Sequence, residues 1–318
     1  MPEVPQMAEK PAIKIGYLKI TDHLILGVTA RKLEKGMEEF EHCTLEPVVK
    51  NGWNEVADAL AVKSLDGALV LAPTAMDLFK SGVDLKLLLL THKSGSILVK
   101  NKKANIQSIE DFAGKTVLIP YQLSVHNMLF HKLLSEKGLK PGRATEKDID
   151  VTLEVVAPFQ MPEALEYDDE GEIGGFIVAE PFGSQVIAKG HGEEFYLSKD
   201  LWPGHPCCVF VMRTEVLEKN PEAIQEICTS FVRSGLAIDA QPEPAAIIGG
   251  EFLSQDKEVV QKVLTEPPDR ILTGELFPNI EDLDTIQKYM MDEMKIMTSL
   301  IDLEKFMDTR FAKAAGAK

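Results

Sequence analysis

The chain has 318 residues, 45% of them apolar and 26% charged, and a formal net charge of −16. That length exceeds one ordinary core and fits two domains of about 150 residues each. So acidic a chain excludes a nucleic-acid backbone as partner and disfavours an anionic membrane surface, since both need clustered Lys and Arg.

No run of 18 apolar residues occurs, so no membrane-spanning helix is expected. The stretch Met1–Pro11 is polar and has no apolar signal core, which leaves a cytoplasmic chain or one whose export signal has been removed. The four cysteines form no CxxC pair and no disulfide framework, and read as small buried apolar side chains.

In chain order, short β-rich runs alternate with helical patterns. Strands are expected at Ile13–Leu18, Leu45–Val49, Ala68–Leu71, Leu85–Leu90, Ile97–Lys100, Thr116–Ile119, Thr152–Val156, Gly175–Val178, Glu194–Leu197 and Val209–Met212. Helices are expected between them at Leu24–Lys35, Glu55–Val62, Ala75–Lys80, Val125–Glu136, Pro162–Tyr167 and Gly183–Lys189. This is the pattern of a parallel, helix-covered sheet. From Glu215 the pattern is helical, through Asp239 and then at Ala245–Leu253, Lys257–Leu264 and Asp282–Thr298. Asn220-Pro221 reads as a side-chain cap followed by Pro at the first helical position. With no strands of its own, this C-terminal third must cover a sheet built from earlier residues.

Two stretches read as crossings between lobes, Ile97–Lys103 and Ser198–Pro206. They divide the chain into a discontinuous first lobe, residues 11–100 plus 205–318, and a second lobe, residues 101–204. Two lobes joined by two strands make a hinge, with a ligand cleft between them.

Ligands of open α/β sheets sit at the carboxyl ends of strands, where helices begin. Asp22 and His23, Trp53, Pro73 and Thr74, then Gln122, Ser124 and His126, and finally Glu180 and Phe182 occupy such positions. Converging helix N-termini favour an anionic or carbonyl-rich ligand. Taken one at a time, Ser124 and Thr74 read as helix caps, His23 as a turn histidine and Trp53 as core. No metal site is expected: His126 and His131 do not share a helix face, and alternate side chains of an extended His205–Cys208 run point to opposite faces. No nucleophile-elbow, P-loop or dinucleotide motif is present, so neither catalytic residues nor a cofactor is expected.

Read in order, several phrases resemble the nitrate/sulfonate/taurine/bicarbonate group of ABC-transporter solute-binding proteins. They are Lys14-Ile15-Gly16-Tyr17, Trp53 before a helix, Leu65-Asp66-Gly67-Ala68 leading into Leu71-Ala72-Pro73, and Asp111-Phe112-Ala113-Gly114-Lys115-Thr116-Val117. Ser124-Val125-His126-Asn127, Glu180-Pro181-Phe182-Gly183, and Asp200-Leu201-Trp202 followed by His205-Pro206 complete the set. The similarity runs from Ile13 to Asp239. It implies a two-lobed α/β fold of the periplasmic-binding-protein type II, each lobe a mostly parallel sheet flanked by helices, on a two-stranded hinge. It also implies a small-molecule ligand, an ABC transporter permease as partner, a monomer, an extracytoplasmic location and no catalysis. An enzyme or sensor on the same fold, similar to the thiamin pyrimidine synthases, is the alternative. By resemblance, Trp53, His126 and Glu180 lie at the ligand, and so does the loop carrying Ser94 and Ser96. Two segments depart from the group by residue type: the Ser94–Ser96 loop lacks an amide side chain, and Leu123-Ser124-Val125 replaces a glycine-rich turn. Nitrate, sulfonate, taurine and bicarbonate remain examples of the expected ligand.

Overall fold

The computed structural model describes residues 10–318; of the polar stretch read at Met1–Pro11, residues 1–9 lie outside them. The strands are β1 (Ala12–Tyr17), β2 (Thr44–Val49), β3 (Gly67–Leu71), β4 (Leu85–Leu90), β5 (Lys93–Ser94), β6 (Ser96–Asn101) and β7 (Thr116–Ile119). They continue with β8 (Pro141–Gly142), β9 (Val151–Val155), β10 (Ile173–Ala179), β11 (Gly192–Leu197), β12 (Cys208–Arg213) and β13 (Ile271–Leu272). The first sheet has the order β2-β1-β3-β12-β4 and the second β11-β6-β10-β7-β9-β8. Strands β1, β2 and β3 are parallel, as are β7, β8, β9 and β10. The chain is therefore a two-lobed α/β fold with helices on its sheets.

In the two large sheets, every antiparallel pairing is made by a strand that follows a change of lobe. β6 runs against β10 and β11, and β12 runs against β3 and β4. A strand entering a sheet from the other lobe arrives from the opposite end, so its direction is reversed. This moves one expected crossing. β6 pairs wholly within the second sheet, so the outgoing passage is 91–95, ahead of Ile97–Lys103. The return passage runs from Ser198 to Cys207 and begins with a single helical turn, Ser198–Leu201. The two passages touch: Ser94 N–H donates to the His205 carbonyl at 2.9 Å, and Lys93 bridges Pro206.

The central strand β3 is buried along its whole length, and its sequence Gly-Ala-Leu-Val-Leu is correspondingly apolar throughout. The helix Pro221–Ala240 covers this sheet. It buries Ile224, Ile227, Cys228, Phe231 and Val232, one face at helical spacing. Phe231 meets Phe210 of β12 edge-on, 5.0 Å between ring centres. Each such side chain contributes about 1.5–3 kcal/mol by leaving water.

Three local expectations are corrected. Asn220 precedes its helix, but its amide donates back to the Val216 carbonyl at 3.2 Å and does not cap. The C-terminal third does contribute a strand, β13, because the outgoing passage leaves β5 needing a partner. The helix expected over Asp282–Thr298 is Ile280–Asp292. Lys295 turns left-handed there, and the chain folds back so that the Ile296 and Met297 amides bond the Met290 carbonyl. That reversal buries Met297.

Candidate functional site

The carboxyl ends of the first sheet's strands meet the second lobe around a knot of polar groups with almost no exposure. Asp22 lies in the short 3-10 turn after β1, and His92 on the outgoing passage just past β4. Cys207 ends the return passage and Cys208 opens β12. His92 Nε2 lies 2.9 Å from Asp22 Oδ2, with both side chains at 0% exposure. One donor atom from each of Asp22, His92, Cys207 and Cys208 lies within 4.8 Å of the others. This corrects the expectation that the two thiols point apart. The alternation rule holds within a regular strand, and Cys207 precedes the strand that Cys208 begins. Their carbonyls are pinned separately, by the Ala72 amide at 2.9 Å and the Thr91 amide at 3.1 Å.

The second lobe contributes His126, in the first turn of the helix Val125–Glu136. Its Nε2 is 2.9 Å from the Ser96 hydroxyl and 3.9 Å from Cys207 Sγ. Burial pushes the Asp22 carboxyl up to about 6, against the pull of His92. Burial alone would lower His92, but the Asp22 carboxylate prevails and holds it at about 10. The Cys208 thiol, hydrogen-bonded to Cys207, draws Cys207 well below the usual thiol range, and burial pushes Cys208 well above it. The knot thus combines a carboxylate, imidazoles and thiols in a dry pocket. Asp22 Oδ1, His92 Nδ1 and His126 Nδ1 are buried there without hydrogen-bond partners.

The other predicted residues fall into three groups. His23 and Trp53 form a wall, edge-to-face at 5.8 Å. His23 Nδ1 accepts the Leu18 amide at 2.9 Å, and burial pushes its ring down to about 3. Trp53 is 2% exposed and its indole N–H is unpartnered.

Ser124, Thr74 and Glu180 are occupied by the protein itself. Ser124 accepts the Asn127 amide as a cap at 3.1 Å and donates to the Tyr121 carbonyl at 2.7 Å. Thr74 sits inside the helix Ala72–Lys80, beside Pro73, and its hydroxyl crosses the cleft to the Leu123 carbonyl at 2.9 Å. It is a strut between lobes and no cap. Glu180 is fully buried. Its carboxylate accepts Arg270 at 2.5 Å and both the Ser184 hydroxyl and amide at 2.9 Å. Its carbonyl accepts the Thr21 amide and hydroxyl, each at 2.8 Å.

The third group lies at the margins. Ser94 is buried in a left-handed backbone conformation, with its hydroxyl unpartnered. Gln122 is half-buried, and its carbonyl accepts the Asn127 side chain at 2.8 Å. Phe182 lines an outer cavity of about 320 Å³ with Leu18, Ile20, Asn51 and Phe159.

Sequence reasoning missed His92 and Arg270 and set the cysteine pair aside. His92 stands at the carboxyl end of β4 and so satisfies the rule applied to the other strands. Arg270 lies far from Glu180 in sequence, and no local pattern links them.

The NMT1-like family model matches residues 6–249, and the chain belongs to that family. It is 32% identical over 228 residues to the nitrate import ATP-binding protein NrtC of Synechocystis, covering 67% of this chain and 33% of that protein. It is 26% identical over 247 residues to the nitrate/nitrite binding protein NrtA of Nostoc, covering 71% and 53% respectively. The chain therefore spans a third to about half of the length of these relatives. Among solved structures, the ligand-binding component of an ABC-type import system from Staphylococcus aureus, solved with zinc bound, superposes with a TM-score of 0.84 at 25% identity. That superposition covers 96% of this chain and 99% of the other.

Proposed function

We propose that this member of the NMT1-like family is the solute-binding component of an ABC importer, closing its two lobes over one small ligand. The observation that carries the reading is the convergence of Asp22, His92 and Cys207 with His126 of the opposite lobe at a point sealed from solvent. Such a point opens only if the lobes part along the two passages, which is how a hinged binder admits a ligand. The lobes in this reading are the residues before 91 with those after 207, and the residues between 96 and 197. The closed form is the one read by a transporter permease at the membrane, and ligand favours it by binding it better than the open form.

The relatives bring nitrate, nitrite and zinc into the range of ligands. Among the described residues, no helix is long and apolar enough to cross a membrane, in keeping with a partner that provides the membrane passage. The chain acts outside the cytoplasm and as a monomer in this reading. Native mass spectrometry of freshly purified chain tests it: one non-covalent solute per chain, released unchanged on unfolding, is the expected result. Conversion of the bound compound into a product would overturn it.

A further inference from the structure

We propose that the knot of Asp22, His92, Cys207 and Cys208 is a binding site for a thiophilic divalent cation, Zn2+ in the first instance, and that His126 closes over it. This deepens the solute-capture reading and rests on it for the ion's route in and out.

The donor set itself points to this ion. Two sulfurs, one imidazole nitrogen and one carboxylate oxygen match a four-coordinate zinc site, whereas Mg2+ and Ca2+ prefer oxygen alone. A tetrahedron with ordinary zinc bond lengths has edges of about 3.3–3.8 Å. Here Asp22 Oδ2 lies 2.9 Å from His92 Nε2 and 3.8 Å from Cys208 Sγ, and no pair of the four donors exceeds 4.8 Å. Shifts of about 1 Å or less reach the tetrahedron, a range that a rotamer adjustment supplies.

The second observation is independent of spacing. Asp22 Oδ1 is fully buried with no donor facing it, although Asp22 is an ionisable group. Leaving such an oxygen unpaired is costly, and a cation beside it removes the cost. No lysine or arginine among the described residues takes that place. Arg270, a buried guanidinium at the cleft, is committed to Glu180 and Glu194. As the ion enters, His92 Nε2 gives up its proton to solvent together with any proton still held by the ligating thiols, and the Asp22–His92 hydrogen bond opens in favour of two metal bonds.

The placement suits a cargo ion better than a permanent structural one. Asp22 follows β1, Cys208 opens β12, and His92 and Cys207 stand at the first-lobe ends of the two passages, so the four donors stay together when the lobes part. His126 belongs to the second lobe and stands 3.9 Å from Cys207 Sγ. Closing therefore covers the site, and opening uncovers it.

Two readouts on the full chain separate the site from the capture mechanism. Metal-stripped protein is loaded with zinc chloride and desalted, zinc is counted by mass spectrometry, and small-angle scattering follows the radius of gyration. One zinc per chain, with contraction, supports the proposal and the capture reading together. One zinc without contraction supports the site and overturns zinc as the captured solute. Contraction on nitrate or taurine with no zinc retained leaves capture standing and overturns the site. Co2+ titration of the unmutated chain is expected to give intense thiolate-to-cobalt bands, and their absence overturns the proposal even if no variant folds. Cys207→Ser is expected to weaken zinc binding at least about 100-fold and His126→Ala about 10- to 100-fold. Cys228→Ser, whose thiol lies in the other hydrophobic cluster, is expected to leave it unchanged.

Discussion

The interlobe ion pair offers the sharpest test of closure. Arg270, on the C-terminal segment beside β13, is 2% exposed and bonds the fully buried Glu180 at 2.5 Å, with Glu194 at 3.3 Å. In Arg270→Met the closed form must bury the Glu180 carboxylate with only Ser184 to satisfy it, while the open form leaves it hydrated. Removing one partner of a buried pair costs about 3–5 kcal/mol. If the cost falls on closing alone, the opening equilibrium rises by about 150- to 4,000-fold, at tenfold for each 1.4 kcal/mol. The Thr21 amide, bonded across the cleft to the Glu180 carbonyl at 2.8 Å, reports that opening by hydrogen exchange. Its protection is expected to fall by that factor, while amides of β3 keep theirs. Adding Glu180→Gln is expected to restore part of the protection, because a neutral amide is cheaper to bury. Thr21 exchange within about threefold of the parent would refute the reasoning: the pair would then not hold the lobes together.

The remaining predictions concern single bonds and the core. Thr74→Val removes the strut to the Leu123 carbonyl and is expected to raise the same opening equilibrium about 3- to 10-fold, the scale of one net hydrogen bond. Ser124→Ala removes the cap on the Asn127 amide; urea unfolding is expected to show a loss of about 1 kcal/mol. Phe210→Ala empties a fully buried site in β12 against Phe231 and is expected to cost about 3–5 kcal/mol in the same assay. His131 faces Tyr289 at 3.1 Å, and burial lowers its pKa below the ordinary value despite Glu293. The folded protein therefore prefers the neutral ring. Its stabilising contribution is complete above about pH 6.5 and is lost as pH falls through the lowered value. His131→Gln is expected to flatten that part of the stability profile.

The alternation of apolar strands and amphipathic helices determined the α/β class and the position of most strands, because those patterns depend on near neighbours alone. Val125–Glu136 is bounded in the structure as its periodicity and Ser124 cap require. The ordered phrases from Lys14 to Pro206 were enough to place the chain in its family's neighbourhood. Strand direction was not legible. β6 and β12 resemble their neighbours in composition, and only the tertiary pairing shows that they run reversed and where the chain changes lobe.

The site divided along the same line. Asp22, Trp53 and His126 announced themselves by standing after strands, a local fact. Glu180 stood there too, yet its carboxylate is taken by Arg270, 90 residues further along the chain. The cysteine pair read as apolar filler for want of a CxxC pair, and as no metal site because a regular strand would turn its two side chains apart. What brings them together is the break between passage and strand at Cys207, pinned by amides at the ends of β3 and β4, and pairing across such distances leaves no trace in a short window of sequence. Residue types and strand ends were thus the property of the sequence by itself. The charge balance of the pocket was decided only by tertiary structure, because it depends on which buried group each long-range partner neutralises.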